Sequence, residues 1–356
     1  MRQRLLQLLA CPDCRASLRL EADECHDGEI LAGNLICAGC GKAFAVRGGI
    51  PRFVPGDAYA STFSFEWKKW TRTQFDTASR RLSEATFVVS TGKLLETLAG
   101  RVVFDAGCGS GRFMDVVARV GAEVVGVDMS FAIEAAYQNL SALRQCHFVQ
   151  ADLMHLPFKP QSFDFVYSIG VLPFTPNTKA AFLSVLGAVA PGGSIAIWVY
   201  PRRRLADTFR HFPDRVNEVI GQDANFSLPL RWQRLVRPFA GLIDWTLETS
   251  SDAQRLVTTR LPPRLLYALC HAAIPLYYVY RIPLFYPLRL VTKIAMHPDP
   301  EWRVLDTFDW YSPRYQWKHT FGEVRGWFEQ ARLEEIALLP RAVAVTGRRP
   351  ARSSSY

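Results

Sequence analysis

The chain has 356 residues, 49% of them hydrophobic and 21% charged, with a formal net charge of +9 at pH 7. This length allows two domains with sizeable cores, and the hydrophobic content excludes an intrinsically disordered chain. The positive charge permits nucleic acid, anionic lipid or a phosphorylated molecule as a partner, and it does not choose among them.

Four of the eight cysteines lie in two C-x-x-C pairs near the N-terminus, and 22 residues separate the pairs. Two such pairs supply the four soft ligands of a tetrahedral zinc ion without the need for a large core. The predicted zinc ligands are Cys11, Cys14, Cys37 and Cys40. We therefore predict a zinc ribbon over residues 1–55, with a structural or docking role because a closed four-thiolate site leaves no position for a substrate. Redox-active or metal-free cysteines are the alternative.

The spacer between the cysteine pairs contains turn-forming residues at Asp27-Gly28 and Gly33-Asn34, which suit a ribbon of short strands. Residues 48–53 then read GGIPRF. This N-terminal region resembles the small zinc-ribbon proteins that activate tRNA, ribosomal RNA and release-factor methyltransferases. The resemblance implies a ribbon that docks on a methyltransferase, and it leaves a protein partner for the ribbon open. Reduced, metal-bound thiols also predict a cytoplasmic location.

Residues 56–98 are predicted to form two helices. The first one contains an aromatic and basic run at residues 63–70, FSFEWKKW. Such a run is typical of an amphipathic helix whose aromatic side chains pack on a neighbouring domain. Stacking on nucleobases is the alternative.

A strand, a glycine-rich turn and a helix are predicted over residues 102–120, and a second strand ends at Asp128. Glycines in the turn let a ligand lie against bare backbone beside a helix N-terminus. Asp128 lies 23 positions after Asp105, where an acidic residue can accept hydrogen bonds from both hydroxyls of a ribose. The pattern therefore predicts a nucleoside pocket.

The spacing of the glycines narrows the choice of nucleoside. Residues 105–111 read DAGCGSG, which is G-x-G-x-G and not the G-x-G-x-x-G of dinucleotide sites or the P-loop. This motif resembles the first motif of the class I S-adenosylmethionine-dependent methyltransferases. The resemblance continues through QADL at residues 150–153, SFDFVYS at 162–168 and VAPGGSIAI at 189–197. A doubly wound domain that binds another nucleotide is the alternative.

The resemblance implies a donor, S-adenosyl-L-methionine, and a role for each matching position. The first motif would face the methionyl end of the donor, and Asp128 would face its ribose. Asp152 and Leu153 would face the adenine, and Ser168 would lie at the rim beside the sulfonium. The predicted cofactor-binding residues are Asp105, Ala106, Gly107, Cys108, Gly109, Gly111, Asp128, Met129, Asp152, Leu153 and Ser168. In related methyltransferases, helices at the position of residues 56–98 tend to cover the cofactor, so we predict a helical lid or linker there.

No catalytic residue is assigned. The loop after the fourth strand reads GVLPFTP at residues 170–176 and lacks the paired histidine that related enzymes often show. An Asn-Pro-Pro-Tyr type motif is also missing, so the acceptor atom stays open. His319 could deprotonate an acceptor hydroxyl, although a histidine just outside a helix start is usually structural. Thr320 and Glu323 are predicted to form a capping box there.

The predicted fold is a doubly wound, Rossmann-like α/β sheet with a small N-terminal zinc ribbon and a mostly helical insertion. The methyltransferase domain is predicted over residues 99–200 and 319–347, with the aromatic-rich insertion at 201–318 and a disordered basic tail at 348–356. Residues 265–291 are very apolar but are interrupted by His271, Pro275, Arg281 and Pro283, which argues against a transmembrane helix. We interpret the insertion as a substrate cap. The alternative is an apolar surface that binds a lipid-linked substrate and makes peripheral contact with the inner membrane surface.

These patterns predict methyl transfer to a small or lipid-linked acceptor such as a glycan precursor, a quinone or a secondary metabolite. RNA is the alternative acceptor, supported by the ribbon, the positive charge and a similar layout in zinc-containing ribosomal RNA guanine methyltransferases. A third hypothesis is a non-catalytic, cofactor-binding scaffold that docks a partner through its ribbon.

Overall fold

The computed structural model describes residues 1–77, 81–202, 240–282, 284–285, 288 and 292–351. The chain divides into two compact units. One comprises Met1–Pro201 with Tyr315–Tyr356, and the other comprises Arg202–Arg314.

The N-terminal ribbon is a four-stranded antiparallel sheet in the order β1-β2-β3-β4, preceded by a short helix. Its elements are α1 (Gln3–Leu6), β1 (Leu18–His26), β2 (Glu29–Cys37), β3 (Ala43–Arg47) and β4 (Ile50–Pro51). The turn predicted at Asp27-Gly28 joins β1 to β2, and both residues have positive φ angles, 48° and 76°, as a two-residue hairpin loop requires. The second predicted turn, Gly33-Asn34, instead lies within β2. A side chain at Gly33 would collide with the carbonyl oxygen of Glu21, so close strand approach explains this glycine.

The second sheet of this unit has seven strands in the order β10-β11-β9-β8-β5-β6-β7. Strands β5 to β9 pair in parallel, whereas β11 runs antiparallel to β9 and β10 antiparallel to β11. The strands are β5 (Val102–Ala106), β6 (Glu123–Asp128), β7 (Cys146–Gln150), β8 (Phe163–Ile169), β9 (Val189–Trp198), β10 (Glu334–Leu338) and β11 (Ala344–Arg348). The strand order reverses between β5 and β8, which is where ligands bind in open parallel sheets, outside the carboxyl ends of the strands.

Helices cover this sheet and lead into it. They are α2 (Ser61–Lys69), α3 (Leu82–Thr91), α4 (Arg112–Ala118), α5 (Ala132–Leu140), α6 (Thr178–Gly187) and α11 (Phe321–Gln330). The number of α11 follows those of the four helices of the second unit. The central strands β5, β6 and β8 are buried along most of their length, since parallel strands are covered on both faces. On α3, Phe87 is completely buried and contacts the rings of Phe113, Phe165 and Tyr167. The predicted doubly wound α/β sheet and the N-terminal cysteine-rich ribbon are thus confirmed.

The ribbon and the seven-stranded sheet share one hydrophobic core. Leu5, Leu9 and Cys11 of the ribbon belong to the same buried cluster as Phe104 and Phe158. Backbone hydrogen bonds also cross the boundary, from Ala10 N to Pro157 O at 2.9 Å and from Lys159 N to Leu8 O at 2.9 Å. Because buried apolar area and hydrogen bonds join them, the two modules are expected to unfold together.

The second unit is helical in its described part, as predicted for the insertion. Its helices are α7 (Ala240–Thr258), α8 (Pro263–Cys270), α9 (Ala273–Tyr280) and α10 (Pro300–Tyr311). The Arg303 side chain is buried, but its guanidinium donates to the carbonyl oxygens of Ile274, His297 and Pro298 and lies 3.7 Å from the ring centroid of Tyr277. These partners offset the desolvation of a buried charge.

The apolar stretch at residues 265–291 forms most of α8 and all of α9. Pro283 and residues 286–287 and 289–291 lie outside the described part, as do residues 203–239 near the start of the insertion. Among the helices that the structure describes, none has the length and apolar character needed to cross a membrane.

The C-terminal segment returns to the first unit. Thr320 caps α11, its hydroxyl accepting from Glu323 N while the Glu323 carboxylate accepts from Thr320 N, so the predicted capping box is confirmed. Arg348 ends β11, and Arg349 N donates to Gly193 O at 2.8 Å. Residues 352–356 of the predicted tail lie outside the described residues.

Candidate cofactor site and candidate zinc site

The glycine-rich turn after β5 forms the floor of the candidate cofactor site. Gly107, Gly109 and Gly111 have φ angles of 91°, 52° and 91°, which side-chain-bearing residues rarely adopt. The turn is held against β6, since Gly107 N and Cys108 N both donate to Val127 O. At Gly107 an added Cβ would collide with Val171, so this position is closed to any side chain.

The Asp128 carboxylate lies directly beside this turn. One oxygen, Oδ2, accepts from Gly109 N at 2.9 Å, and the other, Oδ1, accepts from the backbone N and the hydroxyl of Ser130. Burial raises the pKa of Asp128, while the hydrogen bonds from Ser130 and Gly109 act in the opposite direction. Each carboxylate oxygen has two lone pairs, so Oδ2, which accepts one hydrogen bond, keeps capacity for a ribose hydroxyl, whereas Oδ1 already accepts two.

Asp105 is buried below the turn, at the end of β5. Its Oδ2 accepts from the Tyr167 hydroxyl at 2.9 Å. Desolvation raises the pKa of Asp105 to about 7, although the Tyr167 hydrogen bond lowers it. Sequence reasoning did not single out Tyr167, because its pairing with Asp105 depends on the parallel register of β5 and β8.

We expect the stability of the protein to depend on the protonation of Asp105. The pKa of this carboxyl is about 7 in the folded state against an ordinary value of 3.8. A raised folded pKa gives stability that is complete below the unfolded pKa and is lost as pH rises through the folded pKa. The free energy of unfolding of the wild type relative to Asp105→Asn should therefore fall between about pH 4 and pH 7, by at most about 1.4 kcal/mol per pH unit.

Urea unfolding at several pH values measures this difference. Tyr167→Phe provides the comparison, because removing the hydrogen bond that lowers the folded pKa of Asp105 should extend the decline to higher pH. A difference between wild type and Asp105→Asn that stays constant from pH 5 to pH 8 would contradict the expectation.

Asp152 follows β7, next to the end of β6. Its Oδ1 accepts from the Tyr59 hydroxyl at 3.0 Å and from Met154 N at 2.9 Å. The neighbouring Gln150 donates through Nε2 to Met129 O at 3.0 Å, which ties the residue after Asp128 to β7. Asp105, Asp128 and Asp152 therefore lie at or just beyond the carboxyl ends of three neighbouring strands, β5, β6 and β7.

Ser168 is completely buried in β8, and its hydroxyl donates to Ala106 O at 2.8 Å. Its hydrogen bond joins the end of β8 to the start of the glycine turn. The predicted role of Ser168 at the rim remains a prediction, as do the individual cofactor contacts of the other predicted site residues.

One face of the segment that includes α2 lies over this site. Phe63 and Trp67 are four positions apart in α2 and therefore share one side of that helix, and Tyr59 lies in the 3₁₀ turn Ala58–Ala60 just before it. Tyr59 contacts Asp152, Phe63 packs on Phe174 at a centroid distance of 5.1 Å, and an added Cβ on Gly109 would lie 3.3 Å from the Trp67 ring. These contacts are those expected of a cover, and sequence reasoning did not single out Tyr59.

Aromatic side chains line the edge next to this face. Phe174 also contacts Tyr200 at 5.5 Å, and Tyr59 contacts Tyr315 at 5.9 Å. The loop after β8, where related enzymes often carry histidines, is fixed by Trp317, which donates from its backbone N to Pro173 O and from its indole to Thr175 O. The edge of the site is thus aromatic.

His319 lies at the start of α11. Its Nδ1 is 3.5 Å from a Glu323 carboxylate oxygen, and its ring packs edge-on against Trp327. These are the contacts of a residue at a helix cap. A role as a general base stays a prediction.

The candidate zinc site is formed by the four predicted cysteines. The Sγ atoms of Cys11, Cys14, Cys37 and Cys40 all lie within 4.8 Å of one another. Cys11 and Cys40 are 3.7 Å apart, and Cys14 and Cys37 are 3.3 Å apart. A tetrahedron with zinc–sulfur distances of about 2.3 Å has edges of about 3.8 Å, so the four sulfurs fit the metal after a small adjustment. Hydrogen bonds from Cys40 N and Gly39 N lower the pKa of the Cys37 thiol to about 6, whereas burial raises the pKa of the Cys11 thiol to about 12.

Comparison with known proteins gives one family match for the ribbon and one for the domain that contains the glycine-rich turn. Residues 104–197 match the family model described as a methyltransferase domain, and residues 2–49 match the model of the Trm112p-like proteins. S-adenosylmethionine is the cofactor of this methyltransferase family.

Curated relatives match the methyltransferase module. The chain is 35% identical over 111 residues to a tRNA U34 carboxymethyltransferase of Idiomarina loihiensis, which covers 29% of the chain and 34% of the relative. It is 31% identical over 105 residues to a ubiquinone biosynthesis O-methyltransferase of Coxiella burnetii, covering 28% of the chain and 43% of the relative. The chain thus spans less than half the length of these relatives.

A solved structure of an O-methyltransferase family protein from Burkholderia thailandensis is 13% identical and has a TM-score of 0.43, with 82% of this chain and 60% of that chain covered. The two family-model matches show that the chain combines a Trm112p-like domain at residues 2–49 with a methyltransferase domain of the S-adenosylmethionine-dependent class at residues 104–197.

Proposed function

We propose that this protein transfers the methyl group of S-adenosylmethionine to an acceptor molecule. The observation that carries the proposal is the bare glycine turn beside the Asp128 carboxylate, which Gly109 and Ser130 orient. In this proposal the turn, with Asp105 beneath it, faces the methionyl end, Asp128 binds the ribose, and Asp152 with Leu153 binds the adenine.

Methyl transfer from a sulfonium is an in-line displacement. The acceptor lone pair forms a bond to the methyl carbon while the carbon–sulfur bond breaks, and the pair of electrons returns to sulfur. For such a step the protein mainly aligns the two molecules and excludes water. Phe63 and Trp67 would contribute to water exclusion, because their rings lie over Phe174 and Gly109.

The acceptor that we propose is a small or lipid-linked molecule. The aromatic edge formed by Phe174 and Tyr200 suits an apolar or planar acceptor. In the second unit, Leu256 and Val257 of α7 are 68% and 63% exposed, and a cavity of about 360 Å³ there has mostly apolar walls. These features are consistent with an apolar ligand, and one relative acts in ubiquinone biosynthesis.

RNA is the second candidate acceptor. The formal net charge of +9 favours a polyanion, and another relative is a tRNA carboxymethyltransferase. A tritiated methyl group on S-adenosylmethionine distinguishes the two candidates when purified protein is incubated with a total lipid and metabolite extract or with total RNA. Label in the organic phase supports the first candidate. Label in RNA, with transfer that declines steeply as salt increases, replaces it with the second.

We propose that the ribbon supports the methyltransferase domain within the same chain. Its support is the shared core with Phe158 and the hydrogen bonds of Ala10 and Lys159. One solved complex contains a Trm112 methyltransferase activator bound to another methyltransferase. Transfer by the purified chain alone would support this role, whereas transfer that requires an added protein would favour the scaffold hypothesis.

We further propose a cytoplasmic location with peripheral membrane contact through residues 265–291. Exposed Leu265, Leu269 and Tyr278 in this stretch would contact the acyl region. Flotation with vesicles of anionic phospholipid tests the proposal, and absence of the protein from the vesicle fraction would contradict it.

A further inference from the structure

A cavity of about 610 Å³ opens where the ribbon meets the methyltransferase domain, within the first unit. Both modules contribute to its walls. The side chains that matter here are Phe44, Arg47, Arg52, Phe53, Phe131 and Glu134. The glycine turn, Asp128 and Asp152 do not line it, so it is distinct from the candidate cofactor site. Its volume is within the range of sites for small ligands.

Aromatic rings form much of this cavity. Phe44 and Phe53 pack together with ring centroids 4.8 Å apart, and each ring remains partly exposed. On the methyltransferase side of the cavity, Phe131 is 42% exposed although it precedes a well-packed helix, α5. A large exposed ring at the mouth of a cavity is a surface on which a planar ligand can stack.

Positive charge accompanies the rings. The Arg52 guanidinium is held by Gln150 Oε1 at 2.8 Å and Glu134 Oε1 at 2.9 Å, and it lies 5.9 Å from the ring centroid of Phe131. Arg47 is exposed at the end of β3, and no partner of its side chain occurs among the residues that the structure describes. Two arginines against one glutamate leave a net positive charge beside exposed rings.

We infer that this cavity binds a nucleotide. Its base would stack on Phe131 and Phe44, its phosphate would pair with Arg47, and Glu134 would accept a hydrogen bond from an amino or imino group of the base. Aromatic stacking and arginine contacts are the general means by which proteins bind unpaired nucleotides. This site goes beyond the proposed methyl transfer, since it does not depend on which acceptor is methylated. A free mononucleotide and an unpaired nucleotide of RNA carry the same chemistry.

Fluorescence anisotropy of the full chain with a short, labelled single-stranded oligoadenylate or oligouridylate tests this inference. We expect Phe131→Ala to weaken binding about tenfold, as loss of one stacking partner does. Arg47→Ala should weaken binding and reduce the slope of log K against log salt by about 0.7, the contribution of one phosphate contact on a single strand. The matched control is Arg144→Ala, because Arg144 is also exposed but lies before β7, whereas the cavity lies at the other end of that strand.

Competition experiments distinguish a free mononucleotide from an unpaired nucleotide of RNA as the ligand of this cavity. If AMP or UMP displaces the oligonucleotide at equal nucleotide concentration, the site takes a free mononucleotide. If only longer strands displace the oligonucleotide, the site takes RNA. Either of these two results supports the inference that the cavity binds a nucleotide. Equal weakening by Arg47→Ala and Arg144→Ala with no effect of Phe131→Ala, or no binding at all, would overturn it. Displacement by S-adenosylhomocysteine would also overturn it, because the nucleotide would then occupy the cofactor site.

Discussion

Gly109→Arg is expected to reduce the affinity for S-adenosylmethionine and S-adenosylhomocysteine by at least about a hundredfold while the protein stays folded. Gly109 has a φ angle of 52°, and its amide orients the Asp128 carboxylate. An added Cβ would already lie 3.3 Å from the Trp67 ring, so the rest of an arginine must enter the space above the turn. There it would exclude the donor sterically and would repel its sulfonium charge.

Titration calorimetry with S-adenosylhomocysteine measures the loss, and circular dichroism checks the fold. Gly100→Arg is the matched control. Gly100 also has a positive φ, 70°, and an added Cβ would meet nothing within 4 Å. Both variants thus carry the same charge and a similar backbone penalty of about 1–2 kcal/mol. Affinity of Gly109→Arg equal to that of the control would refute the placement of the cofactor at this turn.

Cys37→Ser is expected to remove the zinc ion and to lower the melting temperature of the whole first unit by more than about 10 °C. Structural zinc contributes about 10–16 kcal/mol in small zinc domains, so loss of one ligand removes a large part of the folding energy. Cys37 is buried in the core cluster that continues to Phe104 and Phe158 of the methyltransferase domain. Damage to the ribbon should therefore not remain local.

The expected consequence extends to the cofactor site. Phe53 N donates to Gln150 O at 2.8 Å, and Gln150 in turn holds Met129 next to Asp128. Affinity for S-adenosylhomocysteine should decrease together with stability. Metal content by mass spectrometry and thermal unfolding are the measurements, and Cys25→Ser is the matched control because Cys25 is exposed and outside the cysteine cluster. A Cys37→Ser protein with one zinc ion per chain and unchanged melting would contradict this expectation.

Features that depend on short segments were readily predicted from the sequence. The C-x-x-C pairs predicted the cysteine cluster, because each pair places two sulfurs on one turn. The glycine turn was predicted because glycine adopts positive φ angles far more readily than other residues where the chain bends sharply. The capping box of Thr320 and Glu323 likewise depends only on residues three positions apart.

Features that depend on the packing of distant segments were missed. The Gly33-Asn34 pair has the composition of a turn, but strand pairing with Glu21 places it inside β2. Tyr59 lies 93 positions from Asp152, and nothing in the local pattern indicates that their side chains meet. The pairing of Tyr167 with Asp105 likewise follows from the register of two strands.

The sequence by itself determined the class of the two modules, because the cysteine spacing and the glycine spacing carry their chemistry locally. Only the tertiary structure decided how these modules combine. It joined Leu5 and Leu9 to the core around Phe158, and it brought Phe44, Arg52 and Phe131 to one cavity. The physical reason is that contacts between distant segments are set by the burial of apolar surface and by strand register over the whole unit, which no short window of sequence contains.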